Sequence, residues 1–291
     1  MAEDNNGSKQ TGLVLVGIGP GAVEAMTTEA IEIAKTADFR RYEAYTALWP
    51  EDELANLVAT IGPIEKVMRP EVENPEEILG LAKDNLVALL VVGDPLQATT
   101  HVDLQMQAAE QGIDCKIVHG ISITNLVTGA IGLSNYKFGR QTTITYPYNG
   151  WIATSPLEVI AVNRAQGLHT LALLDLDPTG AGTGKQKPME PRDAVVSLIA
   201  MVEKLDGVKD NLPNESVLEQ LKVAAAESIC TEIYAIPVVL CSDMGTPQQS
   251  IVTTDVAGLQ LEEGGRMNCL VFPASTSDVE DKALLRWVKE D

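Results

Sequence analysis

The chain has 291 residues, 45% of them hydrophobic and 21% charged. This composition excludes a disordered or collagen-like polymer and allows one large or two medium domains. Against 41 acidic residues stand 21 basic ones, a net charge of −20 that repels phosphate backbones, so nucleic acid is not expected as a direct partner. The cysteines Cys115, Cys230, Cys241 and Cys269 form no C-x-x-C pair. They predict small core residues in a reducing compartment, and no metal cage. Residues 1–10 read as a polar tail, neither signal nor transit peptide, and no apolar run reaches the ~18–20 residues needed to cross a bilayer. A soluble cytoplasmic protein is the expectation.

In chain order, the apolar run at 13–16 leads into Gly17-Ile18-Gly19-Pro20-Gly21, which predicts a buried strand and a tight loop. A helix is expected from Thr27, with Ala30, Ile31 and Ala34 at helical spacing. Strands follow at 64–68, 86–92 and 115–118, alternating with helical patterns at 51–59, 75–83 and 100–111. Thr100 and Asp103 have the spacing of a capping box for the last of these helices. Strands without polar alternation, interleaved with helices, imply a parallel sheet covered on both faces. Beyond His119-Gly120 the pattern changes. A helix at 123–131 precedes strand candidates at 142–146, 170–176, 233–241, 250–254 and 267–272, several separated only by turns, which predicts a mixed sheet with antiparallel pairs. The polar stretches 177–190 and 206–215 read as exposed loops, and 279–289 as a final helix. The expected fold class is α/β, in two α/β domains. Residues 12–119 form an N-terminal domain with a mostly parallel sheet, and 120–291 a C-terminal domain with a mixed sheet.

Three segments invite a functional reading. Gly17-Ile18-Gly19-Pro20-Gly21 is either a glycine-permitted turn or a ligand-facing one, but Ala22 stands where a dinucleotide fingerprint needs glycine. Residues 180–185, Gly-Ala-Gly-Thr-Gly-Lys, fail as a phosphate loop: Thr179 replaces the first glycine and Gln186 the magnesium-binding hydroxyl. The stretch 91–101, Val-Val-Gly-Asp-Pro-Leu-Gln-Ala-Thr-Thr-His, starts where a strand ends, and open α/β sheets bind ligands outside the carboxyl ends of their strands. There Asp94 offers a carboxylate to an amine or hydroxyl. The turn after 115–118, opening at His119-Gly120-Ile121-Ser122, and Asp175 after 170–174 are further strand ends that could converge with it. His169 reads as a structural histidine, and no serine or cysteine stands in a nucleophile arrangement.

Four segments carry a resemblance: 91–104, Val-His-Gly-Ile-Ser-Ile at 118–123, Gly-Leu-Ser-Asn-Tyr-Lys-Phe-Gly at 132–139, and Gly-Leu-His-Thr-Leu-Ala-Leu-Leu-Asp-Leu at 167–176. In these the chain resembles the diphthine synthases, diphthamide-biosynthesis methyltransferases of the tetrapyrrole methylase superfamily. The similarity runs over about residues 12–275 and is dense across 86–176. It implies transfer of a methyl group from S-adenosyl-L-methionine, leaving S-adenosyl-L-homocysteine, to the amino group of a modified histidine on translation elongation factor 2. It also implies a homodimer of two-domain subunits with the cofactor in the interdomain cleft. Carried over by position, the cofactor-binding residues are Pro20, Asp94, Gln97, Ser122, Ile123, Leu174, Met244 and Asn268. No metal is implied and no catalytic base is named. Asn268 stands where the family usually carries histidine, Pro273-Ala274-Ser275-Thr276 lacks its Pro-Gly-x-Leu-His, and residues 177–190 are longer than its loop. The glycine-rich opening loop is closer to tetrapyrrole methylases. A precorrin methyltransferase, or an S-adenosylmethionine-binding protein without catalysis, are the rival readings.

Overall fold

Residues Gly12–Gly17 (β1) and Leu86–Val91 (β4) are apolar or glycine throughout, and every one of them is buried. A strand with no wet face must be covered on both sides, which is why both sit inside a sheet. The computed structural model describes residues 10–183 and 186–289. With Phe39–Glu43 (β2), Glu65–Val67 (β3) and Cys115–Val118 (β5), they form a five-stranded sheet of order β3-β2-β4-β1-β5 in which every pairing is parallel. The helices Thr28–Thr36 and Glu51–Ile61 cover one face through Ala30, Ala34, Leu57 and Ile61. Glu76–Ala82 and His101–Glu110 cover the other through Ile78, Leu79, Leu104 and Ala108.

The strand β2 is absent from the sequence reading because Arg40, Arg41 and Glu43 break the apolar run. Its buried charged side chains find partners. Buried Arg41 pairs with Glu65 and Glu77, and fully buried Glu43 accepts from the Tyr45 and Thr46 amides at 2.9 and 2.8 Å. The helix start at Thr27 holds, its hydroxyl accepting from Ala30 N at 3.1 Å. The capping box at Thr100 does not form: its side chain makes no cap bond, and the Asp103 carboxylate accepts from Gln107 instead.

The chain makes two compact units, the first running to Ser122 and taking in Gly182, the second beginning at Ile123. In the second, Thr142–Ile144 (β6), Thr170–Leu174 (β7), Pro237–Ser242 (β8), Ser250–Asp255 (β9) and Asn268–Phe272 (β10) form a sheet of order β6-β7-β10-β8-β9. Only β6 and β7 pair in parallel; the other three pairings are antiparallel, the mixed sheet expected. Alternate residues of β8 and β10 divide between two cores. Val238, Leu240, Leu270 and Phe272 meet the helices Ser155–Ala165, Pro191–Asp206 and Val217–Glu232, while Val239, Cys241, Cys269 and Val271 meet the helix Ile123–Ala130. Residues 233–235, expected as strand, instead close the helix Val217–Glu232 as a single 3-10 turn. The closing helix is Asp278–Leu285.

Two further expectations need correction. Residues 177–190 are not wholly an exposed loop: Asp177, Gly182 and Met189 are buried, and the Gly182 carbonyl accepts from Arg69 N at 3.2 Å. Gly184 and Lys185 of the rejected phosphate loop, and most of the N-terminal tail, lie outside the described residues. Of the cysteines, Cys241 and Cys269 are core residues, whereas Cys115 and Cys230 are half-buried.

Candidate functional site

The carboxyl ends of β1, β4 and β5 meet backbone on backbone. Gly93 N donates to Gly19 O at 2.8 Å and Gly19 N to Gly93 O at 3.2 Å, so the turns after β1 and β4 are laced together. A Cβ at Gly120 would lie 2.2 Å from Gly93 O, and one at Gly17 would lie 2.5 Å from Gly120 N. No side chain fits either position. Gly93 and Gly19 both have φ +75°, the left-handed region that glycine enters without penalty.

Asp94 is buried beside this junction and its carboxylate is already engaged. Oδ1 accepts from Leu96 N at 2.9 Å, while Oδ2 accepts from His119 Nδ1 at 2.7 Å and from Gly120 N at 3.3 Å. One carboxylate thus closes its own turn and ties β4 to the turn after β5. A carboxylate has about four lone-pair sites, so roughly one remains for a ligand. The next carbonyl is gripped as well: Pro95 O accepts from Thr99 Oγ1 at 2.5 Å and from His101 Nδ1 at 3.0 Å. Between them Ala98 takes φ +57°, a left-handed conformation uncommon for a non-glycine residue. The turn 93–101 is therefore pre-shaped by its own hydrogen bonds.

The structure brings Asp94, Ser122 and the glycine junction together: the Ser122 Cα is 3.7 Å from where a Gly93 Cβ would be. Pro20 is half-buried on the laced turn after β1, Gln97 is exposed on the turn after β4, and Ile123 is half-buried at the start of its helix. The partner of Asp94, His119, escaped the sequence reading as a functional residue. It lies 25 positions away, and no periodicity signals such a pairing.

In the second unit Leu174 is buried at the end of β7, and Asp175 follows it. The Asp175 carboxylate is fully engaged, accepting from Leu176 N at 2.8 Å, Asp177 N at 3.1 Å, Tyr146 N at 3.1 Å and the Tyr148 hydroxyl. Burial, then the hydrogen bond to Asp193, push the Tyr146 phenol well above its usual range, so it stays protonated. Met244 is buried in the core beside Val127 and Ile131. Asn268 has no polar atom left over. Its Oδ1 accepts from Ser242 Oγ at 2.7 Å and Gly265 N at 2.9 Å, and its Nδ2 donates to Gly265 O at 3.0 Å and Met189 O at 3.4 Å. Its side chain shapes the turn 264–268.

His169 lies at the opposite end of β7 from Leu174 and is fully buried. Its Nδ1 accepts from Ala274 N at 3.0 Å and its Nε2 faces Glu280 Oε1 at 3.3 Å, where Lys137 Nζ also meets the carboxylate at 2.8 Å. This is a structural histidine, as read. Among the described residues no group of three or more His, Cys, Asp or Glu side chains is arranged to hold a metal, and no helix is long and apolar enough to cross a membrane.

The family model of the tetrapyrrole (corrin/porphyrin) methylases matches residues 12–260. A diphthine synthase from Methanospirillum hungatei is 34% identical over 96% of this chain and 99% of its own length. Another, from Methanocella arvoryzae, is 30% identical over 94% of this chain and 96% of its own length. The crystal structure of a diphthine synthase superposes with a TM-score of 0.75 at 26% identity, covering 95% of each chain.

Proposed function

This chain belongs to the tetrapyrrole (corrin/porphyrin) methylase family and is a methyltransferase of diphthamide biosynthesis, and from that premise we propose its substrate, cofactor and site. The acceptor is the amino group of the modified histidine on translation elongation factor 2, and the methyl donor is S-adenosyl-L-methionine. The observation that carries this reading is the pre-shaped turn 93–97, with Asp94 tied to His119 and Gly120, in a chain similar to diphthine synthases over nearly its full length.

The donor set fits the cofactor. When bound, S-adenosylmethionine supplies an electrophilic methyl on a sulfonium, a group whose amine, hydroxyls and positive charge suit a carboxylate and backbone acceptors. The first unit offers these at Asp94 and along the turns 17–22 and 93–97, and those turns carry no basic side chain that would suit a phosphate. Pro20, Asp94, Gln97, Ser122, Ile123 and Leu174 are the proposed contacts. Met244 lies in the core of the second unit, and Asn268 acts by shaping its turn, since its amide is consumed internally.

In-line displacement at a methyl group needs alignment above all, and correct placement can supply roughly 7–11 kcal/mol of the barrier. The rigid turn provides that placement without reorganising. We further propose that the protein works in the cytoplasm as a homodimer and binds no nucleic acid, the last supported by the net charge of −20.

Incubation with isotopically labelled S-adenosylmethionine and precursor-bearing elongation factor 2, followed by mass spectrometry of the modified histidine, tests the proposal. A mass increase of one or more methyl groups on that residue is the expected result. Methylation of a free corrinoid with none on the elongation factor would assign the chain to tetrapyrrole chemistry instead. Cofactor binding in calorimetry with no transfer to any acceptor would leave a binding protein.

A further inference from the structure

Among the three histidines, His119 alone presents a ring nitrogen to solvent. His169 is fully buried with both nitrogens engaged, and His101 is 1% exposed with Nδ1 on Pro95 O. The His119 side chain is 72% exposed, while the carboxylate it meets is 7% exposed. A buried Asp94, itself fixed by Leu96 N and Gly120 N, cannot follow a wandering imidazole. The ring is oriented by Asp94, not the reverse. Because an ionised carboxylate only accepts, the 2.7 Å contact requires the proton on Nδ1. With the proton on Nδ1, the ring's second nitrogen, Nε2, is the one left to accept on an exposed side chain. This is the arrangement of an oriented general base: a carboxylate fixes the tautomer and the far nitrogen takes the proton.

Of the charged groups on the two turns beside His119, residues 17–22 carry none and residues 93–100 carry Asp94 alone.

We propose that His119, held through Nδ1 by Asp94, is the catalytic base that takes the proton from the acceptor amine at Nε2. The inference rests on the methyltransferase reading above. The amine nitrogen lone pair forms the new bond to the methyl carbon as the sulfur–carbon bond breaks, and that bonding pair stays on sulfur as a neutral thioether. The proton displaced from nitrogen moves to His119 Nε2 and from there to solvent.

His119→Asn separates the roles, because its amide can still donate to Asp94 but offers no basic nitrogen. Removing a positioned general base typically lowers rates by about 10²- to 10⁴-fold. The variant should therefore transfer methyl groups at least about 100-fold more slowly at neutral pH. Its S-adenosylmethionine affinity in calorimetry should stay within about threefold of wild type. The deficit should shrink as pH rises and the amine deprotonates unaided. Nitrogen-15 imidazole spectra of the cofactor-free wild type should show His119 as the Nδ1–H tautomer. A variant that keeps a third of its activity overturns the proposal, as does a deficit independent of pH. Loss of affinity in step with activity, or an Nε2–H tautomer in the spectra, does the same. Wild-type protein that methylates nothing on elongation factor 2 overturns the methyltransferase reading itself, and this inference with it.

Discussion

Asp94 carries two duties that the chain alone does not separate: it faces the candidate site and it holds three donors of its own unit. Hydrogen bonds to a charged group are worth about 1.5–3 kcal/mol net, and an amide left buried without a partner costs about as much. Asp94→Ala should therefore lower folding stability by about 2 kcal/mol as well as weaken cofactor binding, and urea unfolding beside calorimetry reads both. An unchanged unfolding midpoint with lost affinity would make Asp94 a ligand contact and nothing more. The residue was legible in the sequence because a carboxylate closing an apolar strand is conspicuous. Its partner was not, since His119 closes a different strand and meets it only once β1 has been inserted between β4 and β5. Asn268 was legible only as a departure from a pattern. That its amide is consumed by Ser242, Gly265 and Met189 is a tertiary fact with no local signal.

At the scale of elements, unalternated apolar runs announced β1 and β4, and with β5 these position the turns of the candidate site. β2 stayed hidden because its charges are matched by other elements. The expected helix at the C-terminus is present, and its attachment explains why Lys137, His169 and Glu280 lie together. Glu280 is the third residue of a capping box with Ser277, and it also accepts from Ser134 N at 3.0 Å and from Lys137. Burial alone would raise its pKa, but the Lys137 ammonium, the Ser134 and Ser277 amides and His169 together hold the carboxyl well below its usual range. Burial also pushes the His169 imidazole below its usual value, with the Glu280 hydrogen bond opposing it only in part. For both groups the folded state binds fewer protons than the unfolded chain, so stability falls as pH falls. The His169 contribution is present above its unfolded value of about 6.5 and is lost below it, and that of Glu280 is lost below about 4.3. Denaturant midpoints should decline in those two windows. Glu280→Gln should cost about 3 kcal/mol at pH 7, as expected when one partner of a buried pair is removed. It should also flatten the decline below pH 4.3. An acid limb of the same slope in the variant would show that other carboxylates govern it.

At the scale of the whole molecule, the acidic excess finds no use in the turns 17–22 and 93–97 of the candidate site, where Asp94 is the one charge. A field summed over −20 charges acts instead on approaching macromolecules. An elongation factor presenting a basic surface around its modified histidine would be steered toward the enzyme, and steering of this kind sets association rate more than final affinity. A small cofactor held by short-range contacts should feel this field much less. Screening lengths fall from about 10 Å at 0.1 M salt to about 3 Å at 1 M, so raising ionic strength to about 0.5 M should remove most of the long-range attraction. Stopped-flow association with elongation factor 2 should then slow severalfold, while the cofactor dissociation constant moves less. Circular dichroism recorded over the same range separates this effect from any dependence of the fold on salt. Association rates that stay flat or rise with salt, at constant folded signal, would show that the acidic surface serves hydration and leaves recognition to local contacts around the turn 93–97.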